Sequence, residues 1–124
     1  MDDWTGFSRP RTALLVIEDG DDQAVVDEQA RRAGWHVRIE HDLSTALMLL
    51  TNAGADLVAT DDFEFLELLN QSFFKESPEG PFEIDLFVLF VAVGEEDFAG
   101  AYSEGASMVV ASPVTPDGLF LPAP

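Results

Sequence analysis

Apolar residues along this chain come in short unbroken blocks, separated by stretches where they recur every three or four positions, and this alternation predicts strands and helices in turn. Ala13 to Ile17 is apolar throughout and stops abruptly at Glu18, the pattern of a central strand buried on both faces. From Asp21 or Asp22 to Ala33, the residues Ala24, Val25, Ala30 and Ala33 fall at helical spacings behind an acidic first turn, and Gly34 supplies the stop. Trp35 to Glu40 alternates Trp35, Val37 and Ile39 against His36, Arg38 and Glu40, which reads as a half-buried edge strand. Ser44 is placed to cap a second helix running to about Asn52, ended by the turn Ala53-Gly54-Ala55. Asp56 to Thr60 is a third strand. Asp62 to Phe74, with Phe63, Leu66, Leu69 and Phe73 on one ladder, is a third helix before the loop Ser77-Pro78-Glu79-Gly80-Pro81. Ile84 to Val93 then predicts a fourth strand, Glu95 to Ser103 a fourth helix stopped by Glu104-Gly105, and Met108 to Ala111 a fifth strand.

Strands alternating with helices imply a parallel sheet with right-handed crossovers and helices on both faces, an α/β domain. The rhythm ends after Pro113. Thr115-Pro116-Asp117 offers a helix start, but Gly118 and Pro122 leave no room for a full helix, so a fifth helix is missing or vestigial. The chain divides into an N-terminal arm over 1–11 carrying Trp4 and Phe7, a folded domain over 12–117 and a tail over 118–124.

Composition narrows the partners more than the fold. At 124 residues and 47% hydrophobic, the chain has enough for one buried core. The net charge of −18, from 24 acidic residues against six basic ones, excludes nucleic acid and anionic membrane surfaces, because neutralising phosphates needs a basic stripe. No run of about 18 apolar residues crosses a bilayer, and the start Met1-Asp2-Asp3-Trp4 is acidic where a secretory signal is basic, so the expected location is cytoplasmic. The acidity reads as a solvated surface, or as adaptation to a salty host, since Lys75 is the single lysine. There is no cysteine, hence no thiolate chemistry. His36 and His41 fall on opposite faces of an extended segment and make no metal pair. Ser112 has no Gly-x-Ser-x-Gly elbow around it, so no catalytic residue is assigned and the chain does not read as an enzyme.

What carries chemistry is the set of acids closing two of the strands. Glu18 and Asp19 follow Leu14-Leu15-Val16-Ile17, and Asp61 follows Asp56-Leu57-Val58-Ala59-Thr60. On neighbouring parallel strands these ends converge at one rim, where open α/β sheets bind ligands. Two like charges about 4 Å apart cost roughly 4 kcal/mol at an effective dielectric of about 20, so the cluster needs a cation, a proton or a basic neighbour.

With this element order, these acid-closed strands resemble the receiver domain of two-component response regulators over about residues 12 to 117. Arg32-Ala33-Gly34-Trp35-His36-Val37 and Glu104-Gly105-Ala106-Ser107 are similar to that family's helix-to-strand joints. The resemblance implies a flavodoxin-like sheet of order 2-1-3-4-5, with Asp61 as phospho-acceptor and Glu18, Asp19 and Asp61 as weak Mg²⁺ ligands. It also implies a signalling partner, either a histidine kinase or a downstream protein. Two family positions are degenerate. Ala92 stands where a hydroxyl is expected, and Ser112, before Pro113, stands where a lysine is expected. Phosphorylating Asp61 would add charge with neither group to stabilise it. The expected function is therefore an atypical single-domain receiver acting through protein-protein interaction, independent of phosphorylation. The alternative is a regulator phosphorylated on Asp61 by a histidine kinase in the presence of Mg²⁺.

Two surfaces are candidates for the partner. Phe63, Phe65, Phe73 and Phe74 are too many aromatics for one buried stripe, and with Trp4 and Phe7 they suggest an exposed binding patch. The absent fifth helix would bare apolar sheet surface, to be covered by the arm, by the tail Leu119-Phe120-Leu121 or by a second subunit in a homodimer.

Overall fold

A computed structural model describes residues 11–52, 55–71, 86–119, 121 and 122 of the chain. Strands β1 (Thr12–Val16), β2 (His36–Ile39), β3 (Leu57–Thr60), β4 (Phe87–Ala92) and β5 (Met108–Ala111) alternate with helices α1 (Gly20–Ala33), α2 (Leu43–Asn52), α3 (Phe63–Leu69) and α4 (Glu95–Ser103). All four neighbouring pairs are parallel and the sheet order is β2-β1-β3-β4-β5, the expected flavodoxin-like arrangement. In register, Val16 lies beside Thr60 and Thr60 beside Phe90, so the strand ends and their acids stand in one row.

The three central strands β1, β3 and β4 are buried on both faces, as in other parallel sheets. Leu14, Val16, Val58, Val88 and Phe90 face α2, α3 and α4, packing with Ala46, Leu50, Phe65, Leu66, Leu69 and Ala101. Ala13, Leu15, Ile17, Leu57, Ala59, Leu89 and Val91 face the other way, onto Val26 and Ala30 of α1 and onto Val114 and Leu119 from beyond β5.

The fifth helix is reduced to one 3-10 turn, Pro116–Gly118, in line with the expectation that Gly118 and Pro122 leave no room for it. The sheet is nevertheless not bare. Leu57, Ala59, Leu89 and Val91 are fully buried, and Leu119 is buried beside them. The Trp35 indole N–H donates to the Pro122 carbonyl at 2.8 Å, fixing the tail over the α1 side. Leu119, Leu121 and Pro122 of the tail thus pack on the α1 side of the sheet.

Several boundaries shift for local reasons. Helix α1 starts at Gly20, one turn position ahead of expectation, because Asp19 caps it by accepting from the Asp21 and Asp22 N–H groups. Gly34 ends it at φ 105°, a left-handed turn that glycine adopts without strain, and the Trp35 N–H returns to the Ala30 carbonyl at 3.0 Å. Helix α2 is capped by Asp42 rather than Ser44, through the Thr45 N–H at 3.0 Å and the Thr45 hydroxyl. Strand β4 spans Phe87–Ala92, and Val93 is already in a turn and 75% exposed. The expected strand start at Ile84, the loop 77–81 and the end of the third helix at Phe74 lie outside the described residues, as do Ala53 and Gly54.

Candidate functional site

The C-terminal strand ends and the helix N-termini that follow them meet at one rim, and its acids are spent mainly on backbone N–H groups. Asp61, half-buried after β3, accepts from the Glu18 N–H at 2.9 Å with Oδ1 and from the Asp19 N–H at 3.1 Å with Oδ2. Asp19 in turn accepts from the Asp21 and Asp22 N–H groups, both at 3.0 Å on Oδ1. Asp62 caps α3 through the Phe65 N–H at 3.1 Å. Thr60, fully buried, donates its hydroxyl to the Val16 carbonyl at 2.8 Å and accepts from the Asp62 N–H at 3.0 Å, which holds the β3 end against β1.

Beside a cation, a proton or a basic side chain, oriented peptide dipoles are a further means of stabilising the crowded acids. Helices α1, α2 and α3 each begin at this rim with an aspartate cap, and the positive ends of their dipoles favour the negative charge there. The ion pairs among the described residues, Arg31 with Asp27 and Arg32 with Glu28, lie further along α1. Asp42, on the same rim, is held below the ordinary carboxylate range, first by the Thr45 hydroxyl and then by the Thr45 N–H.

Glu18, Asp19 and Asp61 are chemically suited to a hard cation such as Mg²⁺. As placed, they do not gather into a cage. Glu18 is exposed, Asp19 and Asp61 point their oxygens at N–H groups, and among the described residues no three His, Asp or Glu side chains are arranged to share an ion.

Ala92 and Ser112 stand at the ends of β4 and β5. Ala92 closes β4 with its carbonyl accepting from the Ser112 N–H at 2.8 Å, so the rim has a methyl group at that point. Ser112 is joined to Pro113 by a cis peptide bond. Its hydroxyl turns to Asp22 Oδ2 at 2.6 Å, not to Asp61.

Of the aromatic residues assigned to a partner surface, Phe65 is fully buried, and Phe63 is half-buried with its ring edge-on to Phe90 at 5.7 Å. Both belong to the core, because α3 lies close against α4: a Cβ at Gly100 would come within 3.2 Å of the Phe63 ring. Phe73, Phe74, Trp4 and Phe7 lie outside the described residues. The large apolar side chains that do reach solvent include Val93, Met48 and Tyr102. His36 is exposed, and exposed His41 meets the Gln23 side chain at 2.7 Å.

Asp22 was missed as a functional candidate. It is only 2% exposed and accepts from both Ser112 and the Val114 N–H, the latter at 2.9 Å. The signal was present: Asp22, Val26 and Ala30 recur every four residues and form the buried stripe of α1.

Solved structures share this fold at low sequence identity. A putative response regulator from Chloroflexus aurantiacus matches with a TM-score of 0.67 and 19% identity over 88% of this chain and 90% of its own. An orphan response regulator of H. pylori matches with a TM-score of 0.64 and 16% identity over 84% of each chain. A response regulator from Burkholderia pseudomallei, solved with a phosphorylated aspartic acid, calcium ion and citrate, matches at a TM-score of 0.60 and 19% identity over 86% of this chain and 62% of its own. No family model and no curated protein matches the sequence. The fold is that of the receiver domain.

Proposed function

We propose that this protein is a receiver-fold signalling module of the cytoplasm that works by binding a protein partner without being phosphorylated. The observation that carries the reading is the engagement of Asp61, whose two oxygens both accept backbone N–H groups. A phosphoryl group on either oxygen would displace one of those donors. It would also add about 1.5 to 2 negative charges beside Glu18, Asp19 and Asp62. In a competent switch such charge is met by a hydroxyl and a cation; here Ala92 has no hydroxyl and Ser112 is committed to Asp22. The partner, a histidine kinase or a downstream protein, would meet a rim whose aspartates accept backbone N–H groups and where Val93 and Ile39 are exposed.

The second reading is a regulator that accepts a phosphoryl group on Asp61, with Mg²⁺ held by Glu18, Asp19 and Asp61. It is favoured by the half-buried position of Asp61 at the β3 end beside that acidic pair. Affinity capture with the purified chain separates the two. A partner taken up equally by wild type and Asp61→Asn, with or without acetyl phosphate and Mg²⁺, supports the first reading. Capture that requires acetyl phosphate and an intact Asp61 supports the second.

A further inference from the structure

We propose that the described residues from Ser112 to Pro122 form a strap standing in for a fifth helix, and that Asp22 is the positioning residue that latches this strap to α1, whatever the state of Asp61. A carboxylate as buried as Asp22 is costly unless its oxygens are paired, and both of its partners come from the segment after β5. Ser112 Oγ reaches Oδ2 at 2.6 Å and the Val114 N–H reaches Oδ1 at 2.9 Å. The far end of the strap is held by a second contact, the Trp35 indole on the Pro122 carbonyl. Asp22 stands in the first turn of α1 and Trp35 just past its end, so the two anchors are separated by roughly the length of the helix, about 20 Å. Between them Val114 and Leu119 are buried against the α1 side of the sheet.

The latch redirects the residue at a switch position. Ser112, where the resemblance implies a lysine directed at the phospho-acceptor, is turned toward α1 and bound there. Asp61 meanwhile ties β3 to the β1–α1 loop. The two acids bind different segments, and neither hydrogen-bonds the other's partners.

Amide and indole hydrogen exchange on the ¹⁵N-labelled full chain tests this. In Asp22→Ala, the Val114 N–H and the Trp35 indole N–H should exchange about tenfold faster or more, while Leu57 and Ala59 in β3 keep their protection. Asp22→Asn should restore most of the protection, since its carbonyl accepts from Val114 and its NH₂ donates to the Ser112 oxygen. Asp61→Asn should leave the Trp35 indole as in wild type. The proposal is overturned if Asp22→Ala changes neither probe, if β3 opens together with the strap, or if Asp61→Asn frees the indole as much as Asp22→Ala does. Should Asp22→Ala not fold, Ser112→Ala removes one of the two donors and must accelerate Val114 exchange; no acceleration overturns the latch. These outcomes do not depend on whether Asp61 accepts a phosphoryl group, which is read separately by mass.

Discussion

A carboxylate among carboxylates destabilises a fold, whereas one that accepts two backbone N–H groups stabilises it, and the sign decides what Asp61 does. Its oxygens take the Glu18 and Asp19 N–H groups. Asp61→Ala should therefore lower stability by about 1 to 3 kcal/mol in urea unfolding, the usual cost of orphaning such donors. A rise in stability would mean that repulsion among the rim acids dominates. Asp42 provides a pH test of the same physics. Thr45 holds it below its ordinary value of 3.8, so its folded pKa is depressed relative to the unfolded chain. Its contribution is fully present above pH 3.8 and is lost as the pH falls through the lower, folded value. Thr45→Ala should move the Asp42 carboxyl back up in an NMR titration and narrow that window. The positions of Glu18, Asp19 and Asp61 were legible from where the apolar blocks end, and those of Ala92 and Ser112 from the resemblance to receiver domains. Their roles were not, because the partners of Asp61 are main-chain donors that carry no sequence signature.

Helix α3 shows how an element-level pattern misleads when two elements pack closely. Adjacent aromatics at Phe63 and Phe65 exceed what one stripe buries, so the sequence suggested an exposed patch. Both are accommodated because α3 approaches α4 at Gly100, which gives Phe63 a seat against Phe90 while Phe65 points into the core. Phe65→Ala should then cost about 3 to 5 kcal/mol of unfolding free energy, against about 0.5 or less for a residue on a surface patch. Helix starts were legible to within a residue or two; the capping residues Asp19 and Asp42 moved them, since each aspartate beat the expected first residue as an acceptor. Asp22 was readable in principle, as a charge on the apolar stripe of α1, but its partners are about 90 residues away and only the fold brings them to it.

At the scale of the whole molecule, the strand-helix alternation pointed to a parallel sheet, and the resemblance to receiver domains supplied its order and with it the convergence of the acids. The missing helix was legible too. What replaces it was not, since the tail crosses the sheet as an irregular strap without periodicity, fixed by one indole and one buried carboxylate. The result is a receiver fold in which Asp61 and the described part of the tail are both committed to contacts within the chain. The most direct test is intact-mass analysis of the full chain after incubation with acetyl phosphate and Mg²⁺, beside Asp61→Asn. An unmodified mass for both is the predicted result. Addition of one phosphoryl group to the wild type, absent from Asp61→Asn, would contradict it and make Asp61 a working phospho-acceptor.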